Sequence, residues 1–500
     1  MNIQHNLQPT CKHLNVCPIS DCSISINNDL PEPQPLLLIP GGSLDGHGFY
    51  LPDGTDDFVT LAAGQTVLLA CPGNSNGFNN TNIRFRTAVA TCNSGTTFFV
   101  NSVSYNFSNF ACRRYPLHTA RYSGSTCYDG TKRHIEIGFE VELDFYKLID
   151  VCFDDVLYTT LYVKATIVSG IVDFQREFSR PGFIQGIFFP GMSLDTIYTK
   201  NTQRQTISGL LGTAQWADQL FDSTTDYYLS RGHLSAMADF VYGSQQSATF
   251  HFVNVSPQWQ TFNGGNWERL ESSVRAYAIK TKLDLIVYTG TYGVATLPNV
   301  NGTETELYLY VDSNNNKRIP VPKLFWKAVY DPKSQAGVVF VGINNPYISD
   351  PKADYLICTD VCPEISWVNW DQQNITAGYS YCCEVGDFNS TVQFLPEFTV
   401  SGLLTEGEST NNNSSLRLGQ YLTMILVIAV VLIPLTALIA TELRSRMNRE
   451  TLSLKCNSKV FTLPEPIKSS TTFFVSFIAM KGALMKNTDL KPRRLQEAGL

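Results

Sequence analysis

The chain has few charged residues and no surplus of positive charge. Asp, Glu, Lys and Arg make up 16% of its 500 residues, whereas hydrophobic residues make up 43%. This balance excludes a disordered chain, which would be rich in charge and poor in apolar residues. The formal net charge of −7 excludes a uniformly basic nucleic-acid binder. No internal repeat is present, so a collagen-like chain is excluded as well.

One long stretch contains no charge at all. Residues 418–441 are mostly apolar and long enough to span the hydrocarbon core of a bilayer, with a buried globular helix as the alternative. Arginines follow this stretch closely, which predicts a basic cytoplasmic tail over 442–500 and an extracellular or lumenal part over 1–417. The tail carries a net charge of +6 and the preceding part −13. The protein would be secreted if this C-terminal segment were absent from its mature form.

Cysteines and glycosylation sequons lie before that stretch. Ten cysteines fall between Cys22 and Cys383, an even number that is typical of disulfides in an oxidising compartment. Their pairing stays open, and a zinc site is the alternative for the last four, Cys358, Cys362, Cys382 and Cys383. All eight Asn-X-Ser/Thr sequons precede residue 418. Residues 1–21 lack the apolar segment of a signal peptide, so we interpret them as the leader of a chain with an incomplete N-terminus.

The hydrophobic pattern divides the remaining chain into two regions and a stalk. Residues 22–185 are Cys-rich and alternate apolar with polar residues over 134–145 and 157–168, as half-buried strands do. Residues 186–400 mix such strands with at least one helix, which predicts an α+β fold. Residues 401–417 are rich in Ser, Gly and Asn, as a stalk would be. Further strands are predicted at 248–255, 283–290, 305–311 and 336–343.

One of the seven histidines occupies a distinctive position. His233 follows Arg231 and Gly232 at the end of a predicted strand. The glycine permits a sharp backbone path, which would point the imidazole out of the sheet. The neighbouring arginine favours the neutral imidazole, which suits a general base. Taken alone, Arg-Gly-His is more often a solvated loop.

The segment after residue 262 has a helical period. Asn263 lies at the start of this helix, and Glu271 and Arg275 lie at one border of its apolar face. Ordinary alternatives are an N-terminal cap for Asn263 and a surface ion pair between Glu271 and Arg275. The apolar residues themselves share one face and predict a buried stripe: Trp267, Leu270, Val274 and Tyr277.

Three motifs in order resemble the DNA/RNA non-specific endonuclease family. They are Arg231-Gly-His233, Asn254-Val-Ser-Pro-Gln258 and the run FNGGNWERLE over 262–271. The tight motifs cover about 228–275, and a weaker resemblance extends over about 22–400. The long N-terminal extension and Cys-rich ends look most like the invertebrate secreted double-stranded ribonuclease branch.

The resemblance implies a fold and an activity. The implied fold is a ββα-metal (His-Me finger) nuclease core on a mixed antiparallel sheet, preceded by the Cys-rich β region and followed by one transmembrane helix. The implied activity is Mg²⁺-dependent, with Mn²⁺ able to substitute. It is a sequence-nonspecific hydrolysis of RNA, including double-stranded RNA, or of DNA, to 5′-phosphate products. The choice between RNA and DNA stays open.

The resemblance also implies a role for each motif residue. His233 matches the general base that takes a proton from the attacking water. Asn263 matches the one direct protein ligand of Mg²⁺, and Glu271 matches a residue that holds water in the shell of the metal ion. Arg231 and Arg275 match arginines that face the phosphate.

Four more positions follow from the same resemblance. Arg204 approximately matches an upstream phosphate-binding arginine, Asn254 a structural asparagine near the site, and Thr289-Gly290 the end of a strand. Ser230 stands where the family commonly has Asp, and because serine can hydrogen-bond locally, we expect activity to persist. Asn254 is also a sequon residue, and we predict that burial keeps it unglycosylated.

An acidic chain needs a local basic surface to bind a polyanion. Seven basic residues in or near the motifs could form a strip that contacts the phosphate backbone without reading bases, whereas the alternative is an ordinary mixed surface. Among them, Arg204 and Arg269 are the predicted substrate-binding residues. A catalytically inactive membrane-anchored binding or uptake protein is the alternative function. The seven residues are Lys200, Arg204, Arg231, Arg269, Arg275, Lys280 and Lys282.

Overall fold

The computed structural model describes most of the chain before residue 407. The predicted membrane span 418–441 and the basic tail 442–500 lie outside the described residues, as do nearly all of the leader and part of the stalk. No helix within the described residues is both long and apolar enough to cross a membrane. The described ranges are 20–42, 48–80, 82–213, 218–221, 225–350 and 354–406.

Strands predominate among the described elements, and helices lie between them, in agreement with the predicted α+β class. The strands β1 to β22 are, in chain order, Cys22–Ser25, Leu36–Leu38, Phe58–Leu61, Thr66–Ala70, Thr87–Ser94, Thr97–Val100, Val103–Asn106, Thr119–Cys127, Lys132–Val141, Asp144–Asp154, Thr159–Ile167, Leu229–His233, Val255–Trp259, Leu285–Val294, Thr296–Pro298, Glu304–Glu306, Tyr308–Val311, Lys317–Pro320, Pro322–Asp331, Ala336–Ile343, Ser380–Cys383 and Gly402–Leu403. The α-helices α1 to α6 used below are Leu194–Ile197, Lys200–Leu211, Gly243–Ala248, Gln260–Phe262, Glu268–Thr281 and Val385–Thr391.

The largest sheet in the described residues has nine strands and joins both halves of the chain. Its order is β21-β20-β19-β14-β11-β10-β9-β8 with antiparallel neighbours, and β22 runs parallel to β20. Strands β8 to β11 precede residue 185, whereas the other strands follow it. The domain boundary predicted at residue 185 therefore does not separate two sheets.

A smaller antiparallel sheet, β2-β4-β5-β6-β7, covers the N-terminal part of the fold. Phe49 beside it packs edge-on against Phe139 of β9 and lies near Tyr242, with ring centroids 6.1 and 6.3 Å apart. One cluster of buried side chains extends from Cys22 to Leu404. The N-terminal sheet and the large sheet thus share a continuous apolar core.

All ten cysteines between Cys22 and Cys383 form disulfides, which confirms that prediction. The zinc alternative for the last four is wrong, because sulfurs joined to each other do not offer the thiolates that zinc binds. The sequence offered no means of choosing among the possible pairings. The five pairs are Cys22–Cys92, Cys71–Cys112, Cys127–Cys152, Cys358–Cys383 and Cys362–Cys382.

Three of the predicted strands differ from the structure. The run 305–311 is divided at Leu307 between β16 and β17, which belong to different sheets. The run 134–145 is not one strand, because a turn at Glu142, with φ of 57°, separates β9 from β10. The run 248–255 is helical or irregular up to Asn254, and β13 begins only at Val255. Every residue from 248 to 255 is buried, so the apolar alternation did not reflect one exposed and one covered face.

Helix α5 and the two-stranded ribbon β12-β13 pack against the large sheet. Trp267 contacts Phe325 of β19, with ring centroids 5.6 Å apart. The buried side chain of Asn344 accepts from Trp259 N at 2.9 Å and donates to the carbonyls of Pro257 and Pro322. The four residues of the predicted stripe are buried, as the helical period required. These contacts fix the ribbon and the helix on the same scaffold.

Candidate active site

His233 is the last residue of strand β12, and a tightly packed glycine precedes it. Strand β12 pairs antiparallel with β13, and Gly232 lies opposite Ser256. A Cβ atom at Gly232 would lie 2.3 Å from Oε1 of Gln258, so no larger residue fits without a shift. Ser230 Oγ donates to the Gln258 carbonyl at 2.9 Å. The serine that replaces the family's usual Asp therefore still ties β12 to β13.

The imidazole of His233 is half-buried between aromatic rings. Its centroid lies 5.2 Å from that of Phe183 and 5.0 Å from that of Phe250. Burial, and then the positive charge of Arg180, lower the pKa of His233 to about 4. Nε2 is buried and has no hydrogen-bond partner among the described residues. The ring is consequently neutral at physiological pH, with a nitrogen that can accept a proton.

Asn254 holds the turn that follows His233. Its Oδ1 accepts from Ser235 N at 2.9 Å, and its Nδ2 donates to the carbonyls of Ser235 and Thr249. The residue is fully buried. These contacts give it a structural environment, and a glycan could not be carried there in the folded protein.

A π-type segment over Asn263–Trp267 precedes helix α5, so Asn263 is not the helix cap that the alternative predicted. Gly265 has φ −104° and ψ −120°, which kinks the chain, and a Cβ atom there would lie 2.7 Å from the Ala377 carbonyl. The buried side chain of Asn266 donates to the carbonyls of Asp371 and Gly378 and accepts from Asp371 N. The turn that presents Asn263 is therefore clamped against the 371–378 loop.

The amide of Asn263 remains almost unengaged. Its Nδ2 makes one long hydrogen bond of 3.4 Å to Gln260 Oε1. No partner contacts its Oδ1 within the part of the chain that the structure describes. The Oδ1 atom of Asn263 is therefore available as an oxygen ligand in the segment before helix α5.

Four charged side chains interact with one another around helix α5. Arg275 Nη1 donates to Asp239 Oδ1 at 2.8 Å, so its ion pair is not the surface pair with Glu271 that was the ordinary alternative. Lys327, which is 1% exposed, donates to Thr289 Oγ1 at 2.7 Å. Burial raises the pKa of Glu271 to about 7, while Lys327 and Arg275 oppose that rise. Burial also lowers the pKa of Lys327, whereas the negative charge of Glu271 raises it.

One open cavity of about 780 Å³ brings most of the predicted residues together. His233 lines it from the end of β12, Asn263 from the segment before helix α5, and Glu271 and Arg275 from that helix. Arg231 also lines it, and its Nη2 donates to Asp195 Oδ1 at 2.9 Å. The carboxylate and amide oxygens match the hard donors that Mg²⁺ prefers, so the residues present fit such an ion.

The predicted basic strip is only partly assembled at this cavity. Lys200, Arg231 and Arg275 line it, whereas Arg204 lies in a neighbouring cavity and pairs with Asp218. Arg269 is exposed on α5 and does not line the cavity. The two remaining members lie at the far end of that helix, where Lys280 pairs with Glu406 and Lys282 ends the helix.

Sequence reasoning missed three charged residues of the site. Arg180 lines the cavity, but it precedes Pro181 in an irregular segment that no period marks. Asp239 lies six residues after His233, and its burial could not be read from a polar residue in a loop. Lys327 lies in a buried strand. A charged residue within that apolar pattern was the signal in the sequence that could have identified it. Thr289-Gly290 lies within β14 and not at a strand end.

The DNA/RNA non-specific endonuclease model matches residues 129–388. This match covers more than half of the chain and contains every residue of the cavity. The chain belongs to the DNA/RNA non-specific endonuclease family. Enzymes of this endonuclease family are metal-dependent nucleases, which agrees with the oxygen donors beside His233.

Curated relatives of this endonuclease are insect salivary proteins. The chain is 28% identical to a "Salivary endonuclease" of Lutzomyia longipalpis, over 78% of this chain and 87% of that protein. It is 25% identical to "Salivary protein Tsal2A" of Glossina morsitans morsitans, over 77% of this chain and 95% of that protein. A crystal structure of an EndoG/EndoGI complex matches 54% of this chain and 91% of that chain at 16% identity, with a TM-score of 0.32.

Proposed function

We propose that the protein is a Mg²⁺-dependent, sequence-nonspecific endonuclease with His233 as general base. It would hydrolyse RNA, including double-stranded RNA, or DNA, to 5′-phosphate products. The observation that carries this proposal is the single cavity that a neutral imidazole, an unengaged amide oxygen and a carboxylate line together. An imidazole and hard oxygen donors in one cavity are the groups that phosphodiester hydrolysis by water requires.

His233 would accept the proton of the attacking water. In the substrate-free protein, burial keeps its pKa at about 4, and Nε2 has no partner among the described residues. A phosphate entering the cavity brings negative charge, which favours the imidazolium and raises the pKa toward neutrality. The ring therefore becomes a stronger base when substrate is present.

Asn263 and Glu271 would hold the metal ion and its water. The Asn263 Oδ1 offers a direct ligand, and the Glu271 carboxylate accepts hydrogen bonds from water. A bound Mg²⁺ would act as a Lewis acid on the phosphoryl oxygen and the leaving oxygen, and Mn²⁺ could replace it. The Arg275–Asp239 pair lies beside Glu271 and fixes the guanidinium toward the cavity.

Basic side chains on the cavity wall would position the phosphate. Arg231 and Arg275 present guanidinium groups, which form paired hydrogen bonds with phosphate oxygens. Arg180 and Lys200 add positive charge to the same wall. Arg204, in the adjoining cavity, would contact the backbone further along the substrate. These contacts bind the backbone and supply no base readout.

We also propose that the protein acts outside the cytoplasm. Five disulfides favour an oxidising compartment, and the relatives named above are described as salivary. Attachment to a membrane through 418–441 remains a prediction. Release of the same nuclease into an extracellular fluid requires only that this segment be removed.

The decisive assay incubates the full chain with double-stranded RNA and with duplex DNA, with and without Mg²⁺. We expect cleavage that a chelator abolishes and that falls at least about 100-fold in Asn263→Ala, because the direct ligand is lost. Asn314→Ala is the matched control, since Asn314 lies in an exposed turn between β17 and β18. Binding of both substrates without products would instead support the inactive binding protein. Full activity of Asn263→Ala would contradict the metal assignment.

A further inference from the structure

A long segment outside the family match contains no acidic residue. Residues 58–128 hold no Asp, Glu or Lys, but they hold five arginines. With 44 acidic residues in 500, about six would be expected in a segment of this length. The segment therefore carries +5 in a region whose total charge is strongly negative. Its arginines are Arg84, Arg86, Arg113, Arg114 and Arg121.

The Cys71–Cys112 disulfide gathers most of these arginines in one place. Cys71 N donates to the Arg86 carbonyl at 2.8 Å, and Arg113 N donates to the Gly77 carbonyl at 2.8 Å. The side chain of Asn76, in the same loop as Gly77, accepts from Arg114 N and donates to the Arg114 carbonyl, both at 3.0 Å. The two arginine-bearing segments are thus cross-linked and hydrogen-bonded to each other.

Three of the arginines present unpaired charge to solvent. Arg84, Arg113 and Arg114 are exposed, and none forms an ion pair within the described residues. Arg121 is different, because it pairs with Glu136 at 3.1 Å. Arg86 is also exposed but shares a cavity with two carboxylates, Glu140 and Glu142.

Large apolar side chains are exposed between these arginines. Phe85 is 74% exposed and Tyr115 is 50% exposed. The nearest carboxylate to Tyr115 is Glu32, which accepts from its hydroxyl at 2.6 Å. We name Arg84, Phe85, Arg113, Arg114 and Tyr115 the arginine surface.

The arginine surface is linked to the active-site cavity through packed aromatic side chains. The ring of Tyr115 packs edge-on against Phe178, with centroids 5.5 Å apart. Phe178 in turn lies against Gly243 at the start of α3. Two residues further along the chain, Arg180 lines the cavity that contains His233. Tyr115 and Phe178 therefore link the arginine surface to the cavity wall that holds Arg180.

We propose that the arginine surface is a second, non-catalytic contact for the phosphate backbone of duplex nucleic acid. This inference rests on the proposed function, since it needs a nucleic-acid substrate in the cavity. Guanidinium groups pair with phosphate oxygens without reading sequence. A duplex is stiff over about 150 base pairs, so a duplex held at the cavity must extend beyond it and pass over neighbouring surface. The arginine surface gives that extension its contact.

The test measures binding of the full chain to 30-base-pair and 8-base-pair duplexes by fluorescence anisotropy. A chelator is present, so that no substrate is cleaved, and the salt concentration is varied. Because Asn79 is an exposed sequon residue beside the arginine surface, all proteins are deglycosylated first. The variant is Arg113→Ala/Arg114→Ala, and Arg84→Ala is measured separately.

Loss of two phosphate contacts should flatten the slope of log K against log salt by about 1.8. At 0.15 M salt, this change corresponds to about a 30-fold loss of affinity. Arg84→Ala should flatten it by about 0.9. The 8-base-pair duplex should bind all proteins alike, because the cavity alone can hold it. The control Arg133→Ala/Lys333→Ala removes the same charge from other exposed positions and should leave the slope unchanged.

Two results would contradict the inference, and they differ from failure of the nuclease proposal. An unchanged slope for the double variant on the long duplex would show that these arginines do not contact the backbone. An equal loss in the control would show that only total charge matters. Absence of cleavage by the wild-type protein with Mg²⁺ would instead contradict the nuclease proposal and leave the binding measurements interpretable.

Discussion

The N-terminal sheet and the site-bearing segment are stabilised in different ways. The N-terminal sheet region, residues 22–112, contains two disulfides, and its sheets consist of short strands. Between Cys152 and Cys358 the chain has no cysteine, and there buried polar side chains connect the elements. Asn254, Asn266 and Asn344 each make three or more hydrogen bonds to the backbone.

The difference shows what each region requires. A disulfide limits the unfolded chain and does not determine where a distant side chain points. Buried hydrogen-bond networks fix orientation, because every unsatisfied group is costly. The site-bearing segment therefore depends on exact side-chain contacts, whereas the N-terminal sheet region depends on its covalent cross-links.

The largest stability effect should come from the buried ion pair of the site-bearing segment. Asp239→Ala leaves Arg275 buried without its partner and should lower the free energy of unfolding by about 3–5 kcal/mol. The matched control is Asp155→Ala, which removes the partner of the exposed Arg133 and should cost less than about 1 kcal/mol. Denaturant unfolding measures both. Equal losses would show that burial of the pair does not matter.

Removing a cross-link should destabilise the N-terminal sheet region without damaging the cavity. Cys71→Ala/Cys112→Ala opens a loop with a sequence separation of 41 and should cost about 2–5 kcal/mol of unfolding free energy. Cleavage of an 8-base-pair duplex should stay within about 2-fold of wild type at 20 °C. A large loss of that cleavage in still-folded protein would contradict the contrast between the regions.

Acid should weaken a contact between the segment that links the N-terminal sheet region to β8 and the site-bearing segment. His118 Nδ1 lies 2.9 Å from His251 Nε2, and burial lowers the pKa of His118 to about 4 and that of His251 to about 3. The unfolded histidines titrate near 6.5, so below that pH the unfolded state binds more protons. The stabilisation that the two neutral histidines contribute is thus fully present above about pH 6.5 and falls as the pH drops toward about 4.

The acid effect should reach about 1.4 kcal/mol per pH unit for each histidine. Thermal unfolding of wild type and His118→Asn at pH 7.5 and pH 5.0 measures it. The variant should lose less stability on acidification than the wild type does. Equal pH dependence in the two proteins would show that this pair is not the acid-sensitive contact.

The smallest effect should come from the crowded glycine before His233. Gly232→Ala places a Cβ atom against Gln258 and should cost about 1–3 kcal/mol of unfolding free energy. Gly209→Ala is the control, because nothing lies within 4 Å of its Cβ position in α2, and it should be neutral or slightly stabilising. Thermal unfolding distinguishes them, and equal melting temperatures would refute the crowding argument.

The parts of this fold that follow from local pattern were predictable. The buried stripe of α5 and the strands β11 and β20 follow from periodicity, because one covered face imposes it. The disulfide pairing and the nine-stranded sheet were not predictable, since both depend on contacts between distant residues. The run 248–255 misled because it is buried throughout, and period 2 has meaning only when one face meets water.

The candidate site also has a part that local sequence predicted and a part that depends on tertiary packing. The residue order of the motifs identified His233, Asn263 and Glu271 as candidates, and the structure places all three at one cavity. Their charged surroundings were missed, because Asp239 and Lys327 reach the site only through tertiary packing. Arg269 was expected at the substrate, but it is exposed on α5 and does not line the cavity.

The central claim is that His233 is the base of a metal nuclease. Single-turnover cleavage of duplex RNA and duplex DNA in Mg²⁺ tests it most directly, with binding measured in parallel under chelator. His233→Ala should cleave about 10²–10⁴-fold more slowly than wild type with unchanged binding. His134→Ala, which alters a histidine bonded to Asp150 outside the cavity, should match wild type. Cleavage by His233→Ala within 2-fold of wild type would contradict the claim.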